Sequence, residues 1–223
     1  MITTALILAA GRGSRLAPLT DDIPKPLLDV HGQPLIVHQL KWLKSAGITR
    51  VVINLFHLGQ QIKSELGDGG AFDLDIVYSE EPALLETGGA IAHARHLLGE
   101  APFVLINGDI WTDFNFLNLP ASLPEHLLGH LLITPTPANR QEGDLAFVHH
   151  RVRRPVQTRD RRWVYCGIAL LKAAIVGEQT GTFSLRDSLF TAAERGQLAG
   201  QTFHGTWTDI GTLDQLIALR DQD

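Results

Sequence analysis

The sequence predicts a doubly wound α/β fold with a mixed sheet and a β-rich second half, and three observations predict it. Short apolar runs alternate with segments of helical period. Glycine or proline stands at most of the boundaries between them. After about residue 120, strand-like runs follow one another with little helix in between. Ala5–Ala10 is an apolar run stopped by Gly11, as a buried strand would be. Pro34–Ala46 carries Leu35, Ile36, Leu40 and Leu43 at helical spacing, with proline suited to the first turn and Gly47 to the position past the end. Val51–Ile53 reads as a strand, Leu58–Leu66 as a helix ended by Gly67, Leu74–Tyr78 as a strand, Gly88–Leu98 as a helix and Phe103–Ile106 as a strand. Strand and helix thus alternate four times, the pattern of parallel strands joined by helical crossovers.

Farther on, Leu127–Thr134, Leu145–His149, Trp163–Leu171 and Gln201–Trp207 read as strands. Asp187–Arg195 reads as a helix, and Leu213–Arg220 as a final amphipathic helix. The expectation is one domain over 1–223. Its core is 1–120, and 121–223 forms a β-rich half that closes over one edge of that core.

At 223 residues, with 44% hydrophobic and 19% charged side chains, the chain can bury a substantial core and is not of disordered composition. A net charge of −5 disfavours nucleic acid as a partner. The single cysteine, Cys166, excludes an internal disulfide and a cysteine-cluster zinc site. Apolar runs fall far short of the ~20 residues of a membrane span, and Met1–Thr4 carries no basic signal-peptide start. The protein is therefore expected to be cytoplasmic, and with no extra assembly segment in the sequence it is expected to be monomeric. The segment His149–Arg162 holds six arginines against one acid, Asp160; it reads as an exposed hairpin or loop, either simply solvated or an electropositive rim for an anionic substrate.

The strongest local signal is Leu6-Ile7-Leu8-Ala9-Ala10-Gly11-Arg12-Gly13-Ser14-Arg15. A buried strand enters a turn whose two glycines lack Cβ atoms, so backbone N–H groups can approach phosphate oxygens. The turn sits where open α/β sheets bind ligands, beyond the carboxyl end of a strand. It is not a dinucleotide fingerprint, because Leu16 occupies the third glycine position, and it lacks P-loop spacing. Glycine-x-glycine alone also describes a plain tight turn. Two cations close by favour a polyphosphate: Arg15, and Lys25 within Pro24-Lys25-Pro26-Leu27, where the flanking prolines restrict the backbone.

Together, Leu8-Ala9-Ala10-Gly11-x-Gly13-x-Arg15 and Pro24-Lys25-Pro26-Leu27 resemble the signature of the sugar-1-phosphate nucleotidyltransferases. The resemblance continues through Glu86-Thr87-Gly88-Gly89, Asn107-Gly108-Asp109 and Trp207-Thr208-Asp209-Ile210-Gly211-Thr212, nearly the whole chain. Within the family it points to the short bacterial N-acetylmuramate α-1-phosphate uridylyltransferases of cell-wall recycling. It implies a Rossmann-like nucleotidyltransferase fold whose second half binds sugar, with UTP and a sugar-1-phosphate as substrates and Mg²⁺ as cofactor.

The resemblance also implies roles. Ala10, Gly11, Gly13, Ser14, Arg15, Lys25 and Gly89 would bind the nucleotide, and Arg15, Lys25 and Asp109 would be catalytic. Asn107, Asp144, Glu86, Gly167 and Asp209 would contact the sugar phosphate, with Asp109 and Asp209 holding the metal. Read without the family, Asp109 and Asp209 each follow a strand and suit either a hard-oxygen Mg²⁺ site or an Asx-turn or helix cap. Glu86 and Thr87 face the sugar or cap the helix after them. Trp111 and Trp207 pack on a sugar ring or in the core, and Cys166 reads as a core thiol.

The chain departs from the family at three points. A Glu-Lys-Pro element is missing, for which Arg153-Arg154-Pro155 is a candidate substitute. Ala90 stands where the subtype has a third glycine, and no hexapeptide-repeat half is present, so acetyl transfer is not expected. Alternatives are a guanylyl- or thymidylyltransferase on another hexose-1-phosphate such as mannose-1-phosphate, and a non-catalytic sugar-nucleotide-binding subunit. Intact Arg15, Lys25, Asp109 and Asp209 argue against the latter. Leu16 argues against a nicotinamide oxidoreductase.

Overall fold

The computed structural model describes residues 2–137, 143–155 and 162–221. The first apolar run forms β1 (Thr4–Leu8), whose three central residues are buried, as in a strand covered on both faces. After a short helix α1 (Leu19–Asp22) come the paired β2 (Asp29–Val30) and β3 (Gln33–Pro34), then α2 (Leu35–Ser45), β4 (Arg50–Leu55), α3 (Gly59–Leu66), β5 (Asp75–Glu80), α4 (Glu86–Leu98) and β6 (Phe103–Asn107). β7 (Ile110–Thr112) follows at once. The second half holds β8 (Gly129–Pro135), β9 (Leu145–Val148), β10 (Arg151–Arg153), β11 (Arg162–Leu171), α5 (Leu185–Glu194), β12 (Leu198–Thr202), β13 (Trp207–Asp209) and α6 (Leu213–Arg220).

Strands β5, β4, β1 and β6 lie side by side and parallel, as the alternation predicts. Mixing of strand directions enters at β11, which runs antiparallel to β6. The sheet then continues through β8, β12, β10 and β9, and β9 pairs back onto β11 at Trp163↔Leu145. The second half meets that edge of the core by extending the same sheet: β11 takes up the hydrogen bonds that β6 would otherwise leave open.

Two buried clusters cover the faces of the sheet: one includes Ile7, Ile36, Leu40, Ile53 and Ile106 on the α2 and α3 side, the other Leu6, Ile91, Leu105, Leu171 and Phe190 on the α4 and α5 side. A third, with Leu16, Leu28, Leu35, Ile210 and Leu216, fastens α6 and the segment before it to the residues after the glycine turn. Near-neighbour alternation alone would not bring residue 210 beside residue 16; this apolar patch does.

Two expectations are corrected. The strand expected over Gln201–Trp207 is two strands, β12 in the main sheet and β13 paired with β7. The chain turns at Gly205, where a Cβ would come 2.5 Å from Asp113 Oδ1. The last helix is not cleanly amphipathic: Leu216 and Leu219 are buried, while Leu213 and Ile217 are exposed. Of the arginine-rich segment, 156–161 lies outside the described residues. The described part is a β9–β10 hairpin whose two-residue turn, His149-His150, has φ of 50° and 61°, the sign that matches the twist of the strands.

Candidate active site

The register of the sheet builds the site. Leu8 on β1 pairs with Asn107 on β6, so Ala9-Ala10-Gly11 and Gly108-Asp109 leave the sheet side by side. Gly108 N–H donates to the Leu8 carbonyl at 2.9 Å, and a Cβ on Gly108 would lie 2.6 Å from that oxygen. Behind the turn, Ala9 N–H donates to Asn54 Oδ1 (2.7 Å). Asn54 Nδ2 donates to Glu81 Oε1 (2.7 Å), and Leu85 N–H donates to Glu81 Oε2 (3.0 Å). This buried chain ties the ends of β1, β4 and β5 to the start of α4.

Gly13 has φ of 64°, and the Thr20 hydroxyl donates to its carbonyl (2.9 Å). Among the described residues no acceptor takes the N–H groups of Gly11, Arg12 and Gly13. The Pro24 and Pro26 rings are buried around Lys25, and Lys25 Nζ lies 2.6 Å from Asp109 Oδ2.

Asp209 comes to the same edge by a different route. β13 runs antiparallel to β7 with Asp209 opposite Ile110, and Ile210 N–H donates to the Asp109 carbonyl at 2.9 Å. The two aspartates thus stand at neighbouring strand ends. The Arg15 guanidinium packs on Gly211, where a Cβ would lie 2.9 Å from it, on the rim between the turn and α6.

Two adjoining cavities open here. The first, of about 210 Å³, is lined by Ala10, Gly11, Gly13, Lys25, Glu86 and Asp109. The second, of about 200 Å³, lies between β11 and α5 and includes Asp144, Tyr165, Arg186 and Phe190. Thr87 and Asn107 border both. Glu86 therefore stands with the glycine turn rather than in the second cavity. It does not merely cap α4: it begins the helix with φ of 59°, a left-handed backbone that a non-glycine residue rarely adopts.

Ser14 is exposed at the first position of a 3-10 turn. Gly89 is buried, donates its N–H to the Phe183 carbonyl (3.1 Å), and leaves room for Gly181, whose oxygen a Cβ would meet at 2.2 Å. Gly167 forms an irregularity in β11 with φ of 70°, and a Cβ there would lie 2.8 Å from Asn107 Nδ2, so the absent side chain makes room for Asn107. Trp111 joins an aromatic cluster with His38 and Trp42, and Trp207 Nε1–H donates to the Cys166 carbonyl. Arg154 pairs with Glu194 at 3.6 Å and stacks 4.1 Å from the Phe190 centroid.

Sequence reading did not single out Asn54, Glu81, Tyr165 or Arg186. Asn54 was visible as a lone amide ending a β-branched run. Burial pushes the Tyr165 phenol well above its ordinary value, and its hydroxyl has no hydrogen-bond partner among the described residues.

A family model described as nucleotidyl transferase matches residues 4–143. This chain belongs to the nucleotidyl transferase family. An N-acetylmuramate alpha-1-phosphate uridylyltransferase of Neisseria meningitidis is 42% identical over 95% of this chain and 94% of its own length. The mannose-1-phosphate guanyltransferase beta-A of Xenopus laevis is 30% identical over 93% of this chain, which spans 61% of that protein. Among solved structures, a UDP-glucose pyrophosphorylase complexed with UDP-glucose superimposes with a TM-score of 0.78 at 18% identity, over 99% of this chain and 98% of the other; it supports the fold. The nucleotidyltransferase fold expected from the sequence is thereby established, and the protein is an enzyme of that class. Among the described residues no helix is long and apolar enough to cross a membrane.

Proposed function

We propose that the enzyme transfers UMP from UTP to N-acetylmuramic acid α-1-phosphate, giving the UDP-sugar and pyrophosphate, in the recycling of cell-wall sugars. The observation that carries this reading is the Lys25–Asp109 pair on the cavity under the glycine turn, in a chain 42% identical to a uridylyltransferase for that sugar phosphate.

The chemistry asks for positioning and charge cancellation more than for proton transfer. A phosphate monoester has a second pKa near 6, so its oxygen is already an anionic nucleophile at neutral pH. That oxygen forms a bond to the α-phosphorus while the bond to the β-phosphate oxygen breaks, and pyrophosphate leaves with the electron pair. The free N–H groups of the turn and the Arg15 guanidinium hold the β- and γ-phosphates. Lys25 cancels charge where the two anions meet. Asn107, given room by Gly167, orients the sugar phosphate between the cavities.

Mg²⁺ fits the donor set. Two carboxylates, Asp109 and Asp209, stand at strand ends joined by the Ile210–Asp109 hydrogen bond, and hard oxygens are what this ion takes. Bound there, it would supply charge stabilisation to the transferring phosphoryl group. The guanyltransferase relative makes GTP with mannose-1-phosphate the competing pair. Purified protein assayed for pyrophosphate with four nucleoside triphosphates against several sugar-1-phosphates, with Mg²⁺ or with EDTA, decides between them. Preference for UTP and the muramate, abolished by EDTA, is expected. Equal turnover in EDTA would refute the metal reading.

A further inference from the structure

The second cavity carries a cation that phosphoryl transfer does not use. Arg186 Nη2 lies 3.1 Å from Asp144 Oδ1, and its guanidinium stands 5.5 Å from the Phe190 ring centroid. The two charged side chains are 64% and 56% exposed, so their pairing contributes little and is open to exchange. Beside them, Tyr165 has a buried hydroxyl without a partner among the described residues. Thr87 and Asn107 join this cavity to the one holding Lys25 and Asp109. A sugar whose 1-phosphate sits against Lys25 has this adjoining cavity, with Arg186 in its lining, as space for its ring and substituents.

A neutral hexose needs hydroxyl partners there, which Asp144 and Tyr165 can supply. A guanidinium adds something different: a permanently charged planar fork that matches a carboxylate with two parallel hydrogen bonds. N-acetylmuramic acid differs from N-acetylglucosamine by one lactyl ether, which ends in a carboxylate.

We propose that Arg186 is the carboxylate-recognising residue of the sugar cavity, exchanging Asp144 for the lactyl carboxylate of the acceptor. The inference rests on the muramate reading above. The exchange leaves Asp144 free to accept hydrogen bonds from sugar hydroxyls, so one event reads the acid and completes the polar lining. Arg154, paired with Glu194, lies over the same Phe190 ring at 4.1 Å from its centroid.

The test uses two acceptors with UTP: N-acetylmuramic acid α-1-phosphate and its lactyl carboxamide, alike in shape but neutral at the lactyl group. Wild-type enzyme is expected to favour the acid by about tenfold or more in kcat/KM, chiefly through KM. In Arg186→Gln that ratio falls to about one, and Arg186→Lys recovers part of it, because charge returns without the fork. Equal use of acid and amide by wild type, or the same loss on both in Arg186→Gln, overturns the subsite and leaves the muramate reading standing. Wild type inert toward both acceptors but active on a neutral hexose-1-phosphate overturns the muramate reading and the subsite with it.

Discussion

Lys25 Nζ meets Asp109 Oδ2 at 2.6 Å and so joins the proline-flanked segment after the glycine turn to the end of the neighbouring strand. The side chains are 12% and 26% exposed, enough to face the cavity and too little for water to dissipate the pairing fully. Each holds the other in reach of an incoming phosphate. The lysine gives that phosphate a cation, while the backbone carbonyl of Asp109 accepts from Ile210 N–H on the chain just after Asp209.

Lys25→Met keeps the aliphatic stem and removes the charge. Turnover is expected to fall by about 10²–10³, the loss seen when one preorganised group facing a developing negative charge is removed. The melting temperature should move little, because the buried proline rings on either side still pack. Near-normal kcat in Lys25→Met, measured by pyrophosphate release, would remove lysine from the mechanism.

Much of the fold was legible because it is written in local periods: the β1, β4, β5 and β6 runs and the helices between them need only alternation and glycine stops. Asp109 was legible for the same reason, since it directly follows a strand. The relation of Asp209 to Asp109 was not a local matter. It depends on the β13–β7 pairing and on the apolar patch around Leu16 and Ile210, both of which join residues far apart in sequence. The packing of Gly89 was not legible, because a glycine needed for close approach to Gly181 looks the same in sequence as one facing a phosphate. Arg186 lies on a helix whose sequence gives no sign that Asp144 stands opposite.

Asn54 is the middle of the buried chain from Ala9 to Glu81, so Asn54→Ala leaves the Ala9 N–H and one Glu81 oxygen without partners. Such orphaned groups cost about 1–3 kcal/mol each. The expected result is a marked fall in chemical-denaturation stability together with a raised KM for the nucleotide, since the turn loses its anchor. A destabilised variant with an unaltered KM would show that the chain supports the fold alone.

His130 gives the stability a pH dependence of known sign. Burial, opposed by a hydrogen bond with Gln201 and aided by the charge of His150, lowers its pKa below the ordinary 6.5. The unfolded chain then binds the proton more readily, so stability is full above about pH 6.5 and declines as pH falls below it. Thermal melts from pH 7.5 to 5.5 should show that decline, and His130→Gln should flatten it. An identical slope in the variant would assign the dependence to other groups.

Gly11 and Gly89 separate binding from packing in a single comparison. A Cβ on Gly11 meets nothing within 4 Å, and its φ lies outside the left-handed region, so Gly11→Ala costs the fold little. Gly11 lines the cavity, where added bulk would keep the backbone from approaching phosphate. Gly89→Ala drives a Cβ to 2.2 Å from the Gly181 oxygen, and neither backbone can yield without moving α4 or the loop against it. Overpacking of this kind costs about 1–3 kcal/mol or more. Gly11→Ala is therefore expected to melt close to wild type with a KM for the nucleotide raised several-fold. Gly89→Ala should melt lower, with its remaining folded fraction binding nucleotide normally. The reverse pattern would place the phosphate contact at the start of α4 and make the turn a matter of folding.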